Sequence, residues 1–142
     1  MICDYEELEY FDETTRKRGK LYRPILRFQL IKRGFQLYPM DGLLDSGADS
    51  IIFPAQAATY FKINYKKGRK IDSNIAGGGT TVFYELPFEK HKMAIFVDDV
   101  QIREKICFSE GQRMPLLGQD FFKNFKIAFD RKNKTFSLDA LR

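Results

Sequence analysis

The sequence contains few of the residues on which many hydrolases and metalloproteins depend. Its 142 residues include one histidine, His91, and two cysteines, Cys3 and Cys107. A Ser-His-Asp triad would have to use that histidine, and no G-x-S-x-G pattern occurs. The two cysteines fit no metal-binding spacing. We therefore expect no metal site and no cofactor, with His91 in an exposed turn, Cys3 exposed and Cys107 buried in a strand.

Long apolar segments are also missing. No run of eighteen apolar residues occurs, which predicts that the protein has no membrane-spanning helix and no membrane partner. The first residues, MICDYEELEYF, do not have the charged-then-apolar order of a secretory signal. With so few cysteines, a cytoplasmic location is expected. The length suits a single domain, which is predicted over residues 21–142. Residues 1–20 are predicted to form an irregular N-terminal arm.

The charges are distributed in blocks, although the net charge is only +5. Residues 1–13 carry six acids and no Lys or Arg, whereas residues 14–34 carry eight Lys or Arg and no acids. A second basic cluster covers residues 62–70. Such clusters can contact nucleic acid or acidic partners. A solvated surface is their more frequent role, and no RNA-binding aromatic motif occurs, so nucleic acid is not the expected partner.

Short apolar runs separated by turn signals dominate the chain from Leu21 onward. One stretch, RKIDSNIAGGGTTVFYELPF, predicts two strands joined by a glycine-rich tip. Helical character is confined to AQAATYFKI, which follows Pro54, and to the turn and short helix of PLLGQDFFKNF. Many short strands with two short helices predict an all-β, barrel-like domain.

A carboxylate stands inside the most apolar stretch, GLLDSGADSIIFP. Asp, Ser and Gly are common turn formers, so the D-S-G triplet alone predicts only a tight turn. Its flanks place that turn between two buried segments, where an unpaired carboxylate is costly. Without a metal set or a histidine-based triad, the remaining chemistry is a pair of carboxylates that share a proton around one water.

Three motifs in order give the sequence a family resemblance. The segment LLDSGADS resembles the active-site loop of retropepsins, NIAGGGTTV resembles their glycine-rich flap, and MPLLGQDFF resembles their second signature. The segment YRPIL also resembles the start of retroviral members, whereas the end of the chain is more similar to cellular and bacterial relatives. The resemblance spans about residues 21–138. It implies a retropepsin-like acid-protease barrel that works as a C2 homodimer on polypeptide substrates.

The resemblance also implies roles for individual residues. Asp45 would be catalytic, and since the chain has one D-[ST]-G, the second aspartate must come from another copy. Ser46, Gly47 and Ala48 would support the active-site loop. Asp49 would line the substrate cleft, with the flap glycines Gly77, Gly78 and Gly79 above it. Leu116, Leu117 and Gly118 would pack beneath the loop.

One residue departs from the family pattern. Retroviral members carry Arg after the glycine of the second motif, paired with the acid at the Asp49 position, and here Gln119 stands there. Arg23 could replace it by reaching Asp49. An alternative function is therefore a catalytically inactive module of the same fold, used for dimerisation or peptide binding. For an active enzyme, self-cleavage is expected at Tyr10-Phe11 in the arm.

Overall fold

The structure is a computed structural model, and it describes residues 1–74 and 78–141. Strands account for 53% of the described residues, which confirms the all-β prediction. The strands are β1 (Ile2–Asp4), β2 (Glu6–Asp12), β3 (Lys17–Arg23), β4 (Ile25–Ile31), β5 (Tyr38–Leu44), β6 (Ile51–Pro54), β7 (Arg69–Asn74), β8 (Thr80–Leu86), β9 (Ala94–Val97), β10 (Val100–Ile102), β11 (Ile106–Ser109), β12 (Leu116–Leu117), β13 (Phe125–Asp130) and β14 (Thr135–Ala140). The helices are α1 (Ala55–Tyr60), α2 (Phe88–His91) and α3 (Gln119–Phe122), with a 3-10 turn at Tyr65–Lys67.

Nine of the strands form one curled sheet in the order β10-β9-β4-β5-β12-β6-β11-β8-β7. Apolar and polar residues alternate along β4, which is typical of a half-buried strand. Leu26, Phe28 and Leu30 are buried, while Arg27 and Gln29 are exposed. Such a period of two directs one face of a strand into the core. Six phenylalanines form the centre of that core, each at most 1% exposed: Phe28, Phe53, Phe61, Phe108, Phe121 and Phe136.

A three-stranded sheet, β1-β14-β13, joins the two ends of the described chain. In it Ile2 lies opposite Ser137, and Cys3 lies opposite Phe136. We call β1, β13 and β14 the terminal sheet. Its contacts with α3 attach it to the rest of the fold. Cys3 is half-buried in this sheet, so the prediction of an exposed thiol is wrong. Cys107 is buried in β11, as predicted.

The prediction of an irregular arm over residues 1–20 is wrong. Strand β2 pairs with β3 from Glu6↔Arg23 to Asp12↔Lys17 and forms a two-stranded hairpin. The acidic block and the basic block therefore face each other, and Lys20 contacts Glu7 at 3.0 Å. Opposite charges across a strand pair stabilise it without an apolar alternation. That residues 21–142 form one domain stays a prediction.

The hairpin also bears on the expected self-cleavage at Tyr10-Phe11. Tyr10 and Phe11 lie within β2, paired with Gly19 and Arg18, and not in a flexible segment. A protease that binds extended substrates would need this pairing to open before it could cut there. The apolar run that starts at Leu21 is divided at Pro24 between β3 and β4. Proline has no N–H for a ladder, so the chain passes from one sheet to another at that residue.

The two predicted helices and the predicted strand pair β7–β8 are present, whereas α2 was not predicted. Pro54 directly precedes α1, and Gly118 directly precedes α3. The hairpins are β7–β8, β9–β10 with its turn at Asp98-Asp99, and β13–β14. In the described ranges, no helix has the length and apolarity needed to cross a membrane.

Candidate active site

The loop that carries Asp45 begins where β5 ends and leads into β6. The short strand β12 lies between these two strands. It pairs in parallel with β5, Leu117 opposite Leu44, and antiparallel with β6, Leu117 opposite Ile51. Leu44, Ile51 and Leu117 are all buried. The apolar flanks of the loop therefore fix both of its ends in the core, and β12 supports it from below.

Hydrogen bonds within this loop orient the Asp45 carboxylate. The Asp45 N–H donates to the Leu117 carbonyl at 3.1 Å, and the Ala48 N–H donates to the Asp45 carbonyl at 3.2 Å, which closes a turn. The Gly47 N–H donates to Asp45 Oδ1 at 2.9 Å. Among the described residues, Oδ2 has no hydrogen-bond partner. One carboxylate oxygen is thus fixed by the turn, and the other remains available to an incoming group.

Gly47 lies against the carboxylate. A Cβ at this position would be 3.3 Å from Asp45 Oδ1, closer than an ordinary van der Waals contact. Gly47 and Ser46 are exposed in the single chain, while Asp45 and Ala48 are half-buried. The tip of the loop therefore lies at the surface, while its apolar flanks lie in the core.

The second motif is connected to the loop by main-chain hydrogen bonds. The Gly118 N–H donates to the Ser50 carbonyl at 3.2 Å, and the Gln119 N–H donates to the Ala48 carbonyl at 2.8 Å. A Cβ on Gly118 would contact the Ala48 carbonyl oxygen and would lie 2.6 Å from the Ser50 carbonyl oxygen. Gly118 has a negative φ, so close approach and not left-handed backbone explains the glycine. The structure thus brings two of the three sequence motifs together.

The link continues into α3. The Asp120 N–H donates to the Asp49 carbonyl at 2.9 Å. The Asp120 side chain, nearly buried, contacts Lys123 Nζ at 2.8 Å and Lys105 Nζ at 3.8 Å. These cations compensate the carboxylate at the start of the helix.

Gln119 replaces the expected ion pair with a neutral hydrogen bond. Its Nε2 donates to the Ser46 carbonyl at 2.7 Å. No ion pair between Arg23 and Asp49 occurs in the described part of the chain, so the expectation that Arg23 reaches Asp49 within one subunit is wrong. Arg23 lies opposite Glu6 in the strand register of the β2–β3 hairpin.

The structure describes two of the three predicted flap glycines. Gly77 is outside the described residues. Gly78 and Gly79 have φ values of 86° and 113°, which favour glycine, and they directly precede β8. No hydrogen bond between the described residues joins them to the Asp45 loop.

The prediction that His91 is an exposed turn residue is wrong, because its ring is fully buried. Its Nδ1 accepts from the Met93 N–H at 2.9 Å, so the proton of the neutral ring is on Nε2, which donates to the Glu104 carbonyl at 2.8 Å. Burial lowers the pKa of His91. The histidine therefore has a structural role. No group of three or more His, Cys, Asp or Glu within residues 1–74 and 78–141 could hold a metal ion.

Sequence reasoning missed a contact at the loop between β11 and β12. The Tyr65 hydroxyl donates to Glu110 Oε1 at 2.7 Å, and Lys66 Nζ is 3.4 Å from the same oxygen. This hydrogen bond raises the pKa of Tyr65 to about 12 and lowers that of Glu110. The two residues are 45 positions apart, and no local signal predicts their pairing.

The fold has known counterparts among solved structures. No protein-family model matches the chain, and no curated protein matches its sequence. A retropepsin-like aspartic protease from Rickettsia conorii is similar, with a TM-score of 0.58 and 12% identity over 92% of this chain and 97% of that chain. EIAV protease in complex with an inhibitor gives a TM-score of 0.48 and 22% identity over 71% of this chain and 86% of that chain. The Rickettsia structure shows that the fold is retropepsin-like, and the weaker EIAV likeness adds no support.

Proposed function

We propose that this protein is an aspartic endopeptidase in which two Asp45 carboxylates, one from each subunit of a homodimer, activate a water molecule. The observation that carries this proposal is the Asp45 carboxylate itself, with Oδ1 fixed by the Gly47 N–H in a loop that β12 supports. A catalytic group must be held in place by its surroundings before substrate arrives. The retropepsin-like fold supports the same interpretation.

The second carboxylate comes from a second copy of the chain. The sequence has one D-[ST]-G, and Asp72-Ser73-Asn74 lacks the glycine. A two-fold axis beside the loop would bring the two Asp45 side chains together. One carboxylate then acts as general base towards the water, and the other, protonated, acts as general acid.

Other residues of the loop and the flap complete the proposed site. Ser46 hydrogen-bonds across the axis beneath the two aspartates, and Ala48 supports the loop. Gly47 permits the close approach of substrate backbone, and Asp49 lines the cleft. Gly77, Gly78 and Gly79 form the tip that covers the bound peptide and excludes water from the reaction.

The terminal sheet is the proposed dimer interface. It is attached to α3, which directly follows Gly118 beneath the Asp45 loop. Its outer strands β1 and β13 are edges, which favour pairing with another chain. Exposed apolar side chains lie on or beside it, with exposures of 80% for Ile2, 43% for Phe129 and 57% for Leu141.

Peptide cleavage at mildly acidic pH tests the function. Asp45→Asn should lower kcat/KM roughly 10²–10⁴-fold without changing the fold, because the amide cannot act as acid or base. Asp72→Asn is the matched control, since it changes an exposed aspartate of the D-S-N segment and should leave cleavage unchanged.

Equal cleavage by the wild type and Asp45→Asn would overturn the proposal. Binding of peptide by a stable dimer, without cleavage by the wild type at any pH, would identify the inactive module instead. Sedimentation of both proteins shows whether the dimer is present in each comparison.

A further inference from the structure

A groove rich in lysine contains no residue of the Asp45 loop among the residues that line it. It has a volume of about 710 Å³. We call it the basic groove, and its cationic side chains are Lys32, Lys62, Lys67, Arg69, Lys90 and Lys105. Among the described residues that line it, Glu85 is the one carboxylate.

The groove is at the base of the β7–β8 hairpin. Arg69 and Glu85 are paired there, whereas Asn74 and Thr80 are paired at the opposite end, next to the flap tip. Five residues of extended strand separate the two ends by about 17 Å. The basic groove is therefore separate from the flap tip, and no residue of the Asp45 loop lines it.

Three of the six cations already have partners. Arg69 and Lys105 both contact Glu85, at 3.3 and 3.9 Å. Lys32 Nζ donates to the Phe61 carbonyl at 3.0 Å, and burial lowers its pKa.

The other three cations are exposed at the rim. Lys62, Lys67 and Lys90 have no ion-pair partner within the part of the chain that the structure describes. Several unpaired positive charges around one concave surface raise the local concentration of an anionic ligand.

The groove also has an apolar floor. Ile63 and Leu86 line it and are 8% and 5% exposed, and Pro87 extends the apolar surface. Lysine side chains add apolar stems with charged ends. A ligand that fits must therefore combine negative charge with apolar groups.

These features favour a peptide over a nucleic acid. Single-stranded nucleic acid binds by stacking bases on aromatic rings, and the described lining residues include no aromatic ring. We propose that the basic groove binds an acidic polypeptide segment that carries apolar side chains. This inference goes beyond the proposed function and does not depend on catalysis.

Binding of a labelled peptide tests the proposal. The probe is a short peptide of repeated Glu-Glu-Leu, measured by fluorescence anisotropy against the full chain carrying Asp45→Asn, so that cleavage cannot remove it. We expect saturable binding that weakens as salt is added. A peptide with Lys in place of Glu should not bind.

Charge reversal in the groove is compared with charge reversal elsewhere. Lys67→Glu with Lys90→Glu should weaken binding roughly tenfold or more, since both rim charges become repulsive. The matched control is Arg16→Glu with Lys17→Glu, two exposed cations at the tip of the β2–β3 hairpin, and it should bind like the parent. Urea unfolding verifies that both variants are folded.

Two outcomes would overturn the proposal. Equal binding by the groove variant and the control variant would show that the peptide responds to net charge alone. Tighter binding of a charge-matched oligothymidine than of the acidic peptide would identify a nucleic-acid site instead.

Discussion

The side-chain amide of Gln119 donates a hydrogen bond to the Ser46 carbonyl across 2.7 Å, and this bond connects the second motif to the Asp45 turn. Gln119→Ala should lower the free energy of unfolding by about 0.5–1 kcal/mol, because the bond is exposed and one partner is lost. It should also reduce peptide cleavage, since the turn that orients Asp45 becomes looser. Urea unfolding and steady-state kinetics measure the two effects.

Gln56→Ala is the control for this change. Gln56 is exposed on α1 and makes no side-chain hydrogen bond among the described residues. Equal effects of the two substitutions would show that the Gln119 bond does not position the loop.

Gly118 should not tolerate a methyl group. In Gly118→Ala the new Cβ would meet the carbonyl oxygens of Ala48 and Ser50, which are backbone atoms beside Asp45 and cannot move independently. We expect a loss of about 1–3 kcal/mol in the free energy of unfolding. At Gly111 a Cβ would meet nothing within 4 Å, so Gly111→Ala should be neutral within about 0.5 kcal/mol. Thermal or urea unfolding of both variants measures this difference, and equal losses would contradict it.

Phe129 tests the terminal sheet as the dimer interface. Phe129→Glu places a charge on an apolar side chain of β13 that is 43% exposed, and it should weaken dimerisation roughly tenfold or more. Leu37→Glu is the matched control, because Leu37 is 48% exposed outside this sheet. Analytical ultracentrifugation over a range of concentrations measures both. A Phe129→Glu dimer as tight as that of Leu37→Glu would place the interface elsewhere.

His91 should make the fold less stable in acid. Burial lowers its folded-state pKa below the ordinary value of 6.5, with a further lowering by Lys32 and an opposing effect of Glu104 and Glu89. As pH falls, the unfolded chain therefore binds the proton first, and the free energy of unfolding decreases below about pH 6.5 until the folded ring also titrates. Protonation of Nδ1 would also break the bond from the Met93 N–H.

Urea unfolding between about pH 7 and pH 5 measures this effect. His91→Gln keeps a polar side chain without a titrating ring, so its stability should depend less steeply on pH over this range than that of the wild type. Parallel curves for the two proteins would show that other groups cause the acid sensitivity.

Much of the core could be predicted from the sequence because its signals are local. Alternation in β4, the proline before α1 and the glycine before α3 each lie within a few residues of the element that they predict. The Asp45 loop was predictable for the same reason, since its apolar flanks adjoin it. The position of β12 between these flanks depends on contacts between residues some seventy positions apart. The family resemblance, and not a local pattern, predicted this position.

The failures have a different physical origin. Strand β1 pairs with β14 at the far end of the sequence, and β2 and β3 carry many opposite charges and only a short apolar face, with Leu8 opposite Leu21. His91 stands in a charged segment, yet two backbone groups satisfy its ring and permit burial. The basic groove likewise combines residues from several distant segments. No short sequence pattern predicts contacts between such distant segments.

The terminal sheet also determines when folding can finish during synthesis. Strand β1 is made before its partner β14, which lies at residues 135–140, so this pair closes a loop that runs from Asp4 to Thr135. Closing such a loop is slow, and the first strand leaves the ribosome long before its partner exists. Until then β1 and its apolar Ile2 lack the strand that pairs with them. The proposed dimer interface therefore forms only after strand β14 has been synthesised.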